Sequence, residues 1–193
     1  MLPVAMADYP GATRITTNSG ILLMHPPDVA PHYYFLSDHG ACATFAGRAM
    51  DLRHTHGTQI ITLGRCDSAI LSRGLTEVDY LVNPTRPTRP CDFTRGIYTD
   101  CMFSGLYCVQ FALNQKAKTI VAVGHEGYPL REDDPCYWDP DDTSLPKKQS
   151  LAYTTNWIGP WWRAAVAACP DVTFHFYGHM NYEVSGPNVR ITP

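Results

Sequence analysis

The sequence predicts an α/β protein with a mostly parallel sheet flanked by helices. Three observations lead there. Short runs rich in β-branched and aromatic residues recur along the chain. They are nearly continuous in apolar character rather than strictly alternating, as strands covered on both faces are. Segments with helical spacing of apolar residues fall between them, and such alternation is the pattern of right-handed β–α–β crossovers. Finally, the 193 residues are 45% hydrophobic and 17% charged, globular values in a chain long enough to bury one core. A single domain over residues 1–193 is the expectation.

Taken in order, strands are expected at Arg14–Thr17, His32–Ser37, Gln59–Leu63, a weaker Asp79–Val82, Thr119–Val123 and Val172–Tyr177. A helix is expected over His39–Leu52, which is alanine-rich and follows Asp38 as a possible cap. Another is expected over Ser104–Gln115, where Leu106, Val109, Ala112 and Leu113 paint one face and Ser104 is placed to cap the start. Leu151–Ala168 contains Gly159-Pro160 and should be two helices or one kinked helix. Residues 126–150 are acidic and carry four prolines. So long a loop directly after a strand would lie at the carboxyl edge of the sheet, as a lid or as a packed surface loop.

Composition narrows the function. Net charge is −3 and no dense Lys/Arg run occurs, which disfavours nucleic acid as the main partner. No apolar run approaches the ~20 residues that span a bilayer, and Met1–Pro10 shows no secretory leader. Seven cysteines are widely spaced with no C-x-x-C pair, a pattern suited to reduced thiols in a cytoplasmic protein. Nucleophile-elbow, P-loop and zincin motifs are missing from the sequence.

Cys101–Tyr128 is the most informative stretch. Ser104-Gly105 opens a helix, and the next strand ends at Gly124, with Tyr128 four residues later. A helix start leaves about four backbone N–H groups unpaired and carries a partial positive charge, so it can hold a phosphate; an ordinary cap is the alternative. Gly105 would let a ligand approach the backbone, Ser104 would add a hydroxyl, and Tyr128 could close over a base or phosphate.

The segment resembles the bacterial sialyltransferases of the Campylobacter type, glycosyltransferase family 42, and more distantly a wider Rossmann-like group that includes archaeal pterin diphosphokinases. The matching positions are Ser104, Gly105 and Tyr107, then Ile120, Gly124 and Tyr128, with an upstream match over Arg14–Gly20 and His32–Asp38. The resemblance covers residues 12–130, and its last third carries the specific motif. It implies a single-domain Rossmann-like fold. It also implies nucleotide contacts from Asn18 and Ser19, sugar or ribose contacts from Ser37 or Asp38, and base or phosphate contacts from Ser104, Gly105 and Tyr128. Two departures stand out. The glycine-rich first turn of that group is missing, and Cys101 falls where an arginine is expected, with no histidine between Glu126 and Cys169.

His125 and His179 each follow a strand at the expected ligand edge, where an imidazole can act as general base; a hydrogen-bonded loop histidine is the alternative. His175, within a strand, reads as a satisfied face residue. His54-Thr55-His56 lacks a third ligand at metal spacing, so no metal site is expected there. Glu132–Asp142 can hold Mg²⁺ against a diphosphate or form a solvated acidic loop. The expected function is a nucleotide-sugar-dependent glycosyltransferase with a CMP-type donor, requiring no cofactor. The alternatives are a non-catalytic nucleotide-binding or interaction protein of the same fold, and a diphosphokinase-like enzyme using ATP and Mg²⁺.

Overall fold

A computed structural model describes residues 1–24, 29–37, 39–64, 77–82, 103–125 and 154–193. The α/β class is as expected: helices flank sheets whose strands are all paired in parallel. The strands fall into two hydrogen-bonded sets, and the chain divides into two compact units.

One unit, Gly11–Thr88 with Ile97–Phe111, holds the four-stranded sheet. Its strands are β1 (Ile15–Thr17), β2 (Tyr33–Leu36), β3 (Gln59–Leu63) and β4 (Tyr80–Val82), adjacent in sequence order. The register pairs Ile15 with Tyr33, Tyr33 with Gln59 and Ile61 with Tyr80. Helix α2 (His39–His56) connects β2 to β3, and helix α3 (Ser104–Asn114) enters later in the chain. Strand β2 shows why apolar character is nearly continuous. Tyr33 and Phe35 meet Phe111 and Tyr107 of α3 at ring-centroid distances of 4.9 and 5.7 Å. Tyr34, which alternates with them, faces Cys42 and Arg48 of α2. Both faces of the strand are therefore covered, and Tyr34, Phe35, Leu36, Ile60 and Ile61 are fully buried. Asp79 sets the position of β4: its carboxylate accepts the Ile60 N–H at 2.7 Å and pairs with Arg53 at the end of α2.

The other unit, Met1–Pro10, Arg89–Gly96 and Ala112–Pro193, holds strands β5 (Thr119–Val123), β6 (Thr173–Tyr177) and β7 (Val189–Thr192). Helix α1 (Leu2–Asp8) and helix α4 (Gly159–Ala168) belong to it. The Gly159-Pro160 signal marks a real junction: a π-helical turn over Thr154–Ile158 ends there and α4 begins. Pro160 fits because the first helical turn has no partner for its missing N–H. Trp162 of α4 is fully buried and meets Phe174 and Phe176 edge-on at 6.0 and 4.8 Å. The alternate residues of β6 face the amino-terminal segment. Tyr9 hydrogen-bonds His175 at 2.9 Å, and the Tyr177 hydroxyl donates to Asp8 at 2.5 Å. His175 is a satisfied face residue, its second nitrogen lying 2.8 Å from the Thr192 hydroxyl.

Three elements were not legible in advance: α1, β7 and a 3₁₀ turn over Asn18–Leu23. Asp38 and Tyr128, and the expected loop over 126–150, lie outside the described residues, as does the acidic run Glu132–Asp142. No helix among the described residues is long and apolar enough to cross a membrane.

Candidate functional site

Asn18, Ser37 and Ser104 are far apart in sequence and meet at one point of the four-stranded unit. Asn18 directly follows β1, Ser37 directly follows β2, and Ser104 opens α3. All three therefore sit at the carboxyl edge of parallel strands, where open α/β sheets bind ligands. The Asn18 amide donates to the Ser104 hydroxyl at 2.8 Å and to the Ser37 hydroxyl at 3.2 Å. Its carbonyl oxygen accepts the Ser37 backbone N–H at 3.3 Å. The Ser37 and Ser104 hydroxyls also hydrogen-bond each other.

Asn18 reaches this position through its backbone. Its φ of 44° lies in the left-handed region, which asparagine tolerates better than most residues because its short polar side chain bonds locally. The Tyr34 hydroxyl pins that turn by donating to the Asn18 carbonyl at 2.9 Å. Beneath it, the Thr17 hydroxyl donates to the Phe35 carbonyl at 3.0 Å, tying β1 to β2. Ser37 is buried, whereas Asn18, Ser104 and Gly105 keep partial exposure. A pre-positioned amide and two hydroxyls stand beside the N–H groups of a helix start, an arrangement that can accept an anionic oxygen.

The structure changes one detail of this site. Ser104 was expected to cap its own helix. It is instead the first helical residue, and its hydroxyl is spent on Asn18 and Ser37. Gly105 follows it in the first turn as expected. The Ser19 backbone lies in the 3₁₀ turn, and its side chain is outside what is described.

His125 and His179 belong to the three-stranded unit. The register matches Val123 with Tyr177, so β5 and β6 end side by side. Each strand is followed by a glycine with positive φ, 76° at Gly124 and 115° at Gly178, and then by the histidine. Such backbone angles favour glycine. The repeated strand–Gly–His pattern, Gly124-His125 and Gly178-His179, is visible in the sequence itself. The two histidines differ in surroundings. His125 packs edge-on against Trp162 at 5.4 Å, its carbonyl accepts the Tyr182 hydroxyl at 2.5 Å, and burial lowers its pKa to about 4. It is thus neutral at pH 7 and a weak base. His179 is exposed.

Among the described residues no group of three or more His, Cys, Asp or Glu side chains is arranged to hold a metal ion. No family model, curated protein or solved structure matches this chain.

Proposed function

We propose that this chain is a nucleotide-sugar-dependent glycosyltransferase similar to the bacterial sialyltransferases, with the phosphate of a CMP-type donor held at Asn18, Ser37, Ser104 and Gly105. The observation that carries this reading is the convergence of Asn18, Ser37 and Ser104 from three separate segments at the carboxyl edge of a parallel sheet. In this reading the α3 helix start stabilises the charge that develops on the departing phosphate, with Asn18 fixing the Ser37 and Ser104 hydroxyls beside it. Positioning of donor and acceptor contributes the rest. His125 or His179 would remove the acceptor hydroxyl proton; this assignment rests on the sequence. Ser19, Asp38 and Tyr128 would complete the donor contacts, and no metal is required for the chemistry.

A second reading is a binding protein of the same fold without transfer activity. The low pKa of His125 favours it, because a base near 4 is poorly matched to proton removal at neutral pH.

A thermal-shift panel of CMP, CDP, UDP, GDP, ATP and CMP-sugars, with and without Mg²⁺, tests both. A ligand at ~100 times its Kd adds about 2.7 kcal/mol of stability. A cytidine-selective shift that Ser104→Ala abolishes supports the donor site, and no shift with any nucleotide overturns it. Sugar transfer that is lost in His125→Ala or His179→Ala, with donor affinity kept, supports catalysis. Binding without transfer favours the second reading.

A further inference from the structure

The opposite edge of the same four-stranded sheet carries an unassigned cleft. It has a volume of about 400 Å³, within the range of small-molecule sites. Thr13 and Arg14 before β1, His32 before β2, and His56 and Gln59 on either side of the turn into β3 line it. Among the described residues the lining contains one arginine, two histidines and no carboxylate, although the chain as a whole carries a net charge of −3.

The donors in this cleft are fixed rather than free-swinging. Arg14 Nε donates to the Ala30 carbonyl at 3.0 Å, which holds the guanidinium plane. Its two terminal nitrogens have no hydrogen-bond partner among the described residues. The Arg14 backbone N–H donates to His32 Nδ1 at 2.9 Å. Nδ1 must therefore be the acceptor, and the neutral ring carries its proton on Nε2, a second available donor. Burial and the nearby Arg14 lower the His32 pKa, which keeps that tautomer at neutral pH. His56, at the end of α2, and the Gln59 side chain add further donors.

We infer that this amino-edge cleft is a second binding site, for a small ligand bearing an oxyanion, phosphate or carboxylate, gripped by the Arg14 fork with His32 and His56. A planar guanidinium matches the geometry of both anions. This site is independent of the nucleotide reading, because it uses neither Asn18 nor α3.

The test follows the imidazole resonances of His32 and His56 in the full chain at pH 7 and constant ionic strength. Sodium phosphate and then sodium citrate are titrated in. The readout is local to the cleft, so nucleotide binding at the other edge does not register in it. Saturable shifts of both histidines are expected, with affinity about tenfold weaker in Arg14→Gln, a change that keeps a side-chain amide for the Ala30 carbonyl. His56→Ala provides a second variant, since the His56 side chain makes no hydrogen bond among the described residues, and should weaken binding severalfold. Saturation by phosphate alone assigns a phosphate site, and by citrate alone a carboxylate site. Absence of saturable shifts with either anion, or equal affinity in the wild type and both variants, overturns the inference.

Discussion

Two asparagines hold this chain together at single points, and they illustrate what one side chain can do. Asn18 ties the ends of β1 and β2 to the start of α3 through one amide. Asn188 does a related task in the other unit. Its Nδ2 lies 2.9 Å from the Val172 carbonyl and 3.0 Å from the Cys169 carbonyl, with Val166 at 3.4 Å. The end of α4 would otherwise leave carbonyls unpaired. The Cys169 carbonyl also accepts the Val172 N–H at 3.1 Å, so removing the amide takes away the bonds to the Val166 and Val172 carbonyls above all, at about 1–3 kcal/mol for a partly buried group. Asn188→Ala is therefore expected to lower the unfolding free energy by about that amount in urea melts, while Asn188→Asp, which lacks the donors, should not restore it. Ser104 was legible in the sequence as the residue opening a helix, whereas Asn18 and Ser37 were reached only through the resemblance to the sialyltransferase group; all three fall at one edge of a parallel sheet. The Ser104 hydroxyl's choice of partners was not legible, because it depends on a turn conformation at Asn18 that only the folded chain displays.

At the scale of elements, α3 ends in a way that costs stability. Lys116 N–H reaches the Leu113 carbonyl at 2.9 Å and Ala117 N–H reaches the Ala112 carbonyl at 3.0 Å, the double bond pattern of a glycine-terminated helix. The residue at the left-handed position is Lys116, with φ 61°. Lys116→Gly is expected to raise the thermal midpoint, with a gain of about 0.5–1 kcal/mol from relieved backbone strain. Unchanged or lowered stability would show that the lysine contributes elsewhere. The predicted strands and the long helices were legible because burial on both faces leaves long apolar runs. The elements that escaped are short or partly exposed. Helix α1 is seven residues long, too few for periodicity to emerge. Strand β7 is a four-residue, mostly exposed edge, reached from β6 through a connection containing no helix.

At the scale of the whole molecule, both units carry histidines whose pKa lies below the usual value. Burial lowers His125 to about 4 and also lowers His32 and His175, the last two with help from Arg14 and Arg190. The unfolded chain binds these protons near pH 6.5, before the folded chain does, so stability present above 6.5 is lost as pH falls toward 4. His125 alone accounts for about 2 kcal/mol between pH 7 and pH 5. Chemical denaturation at the two pH values should show that loss, and His125→Gln should remove its share. The central claim spans one edge of one sheet, and calorimetric titration of CMP into the wild type and Asn18→Asp tests it most directly. The aspartate keeps the shape of the side chain, replaces the amide donor by a carboxylate, and sets a negative charge against the phosphate. Saturable binding by the wild type, at least tenfold weaker in a still-folded Asn18→Asp, is the expected result. Equal affinity in the two proteins, or no binding by the wild type, would contradict the account.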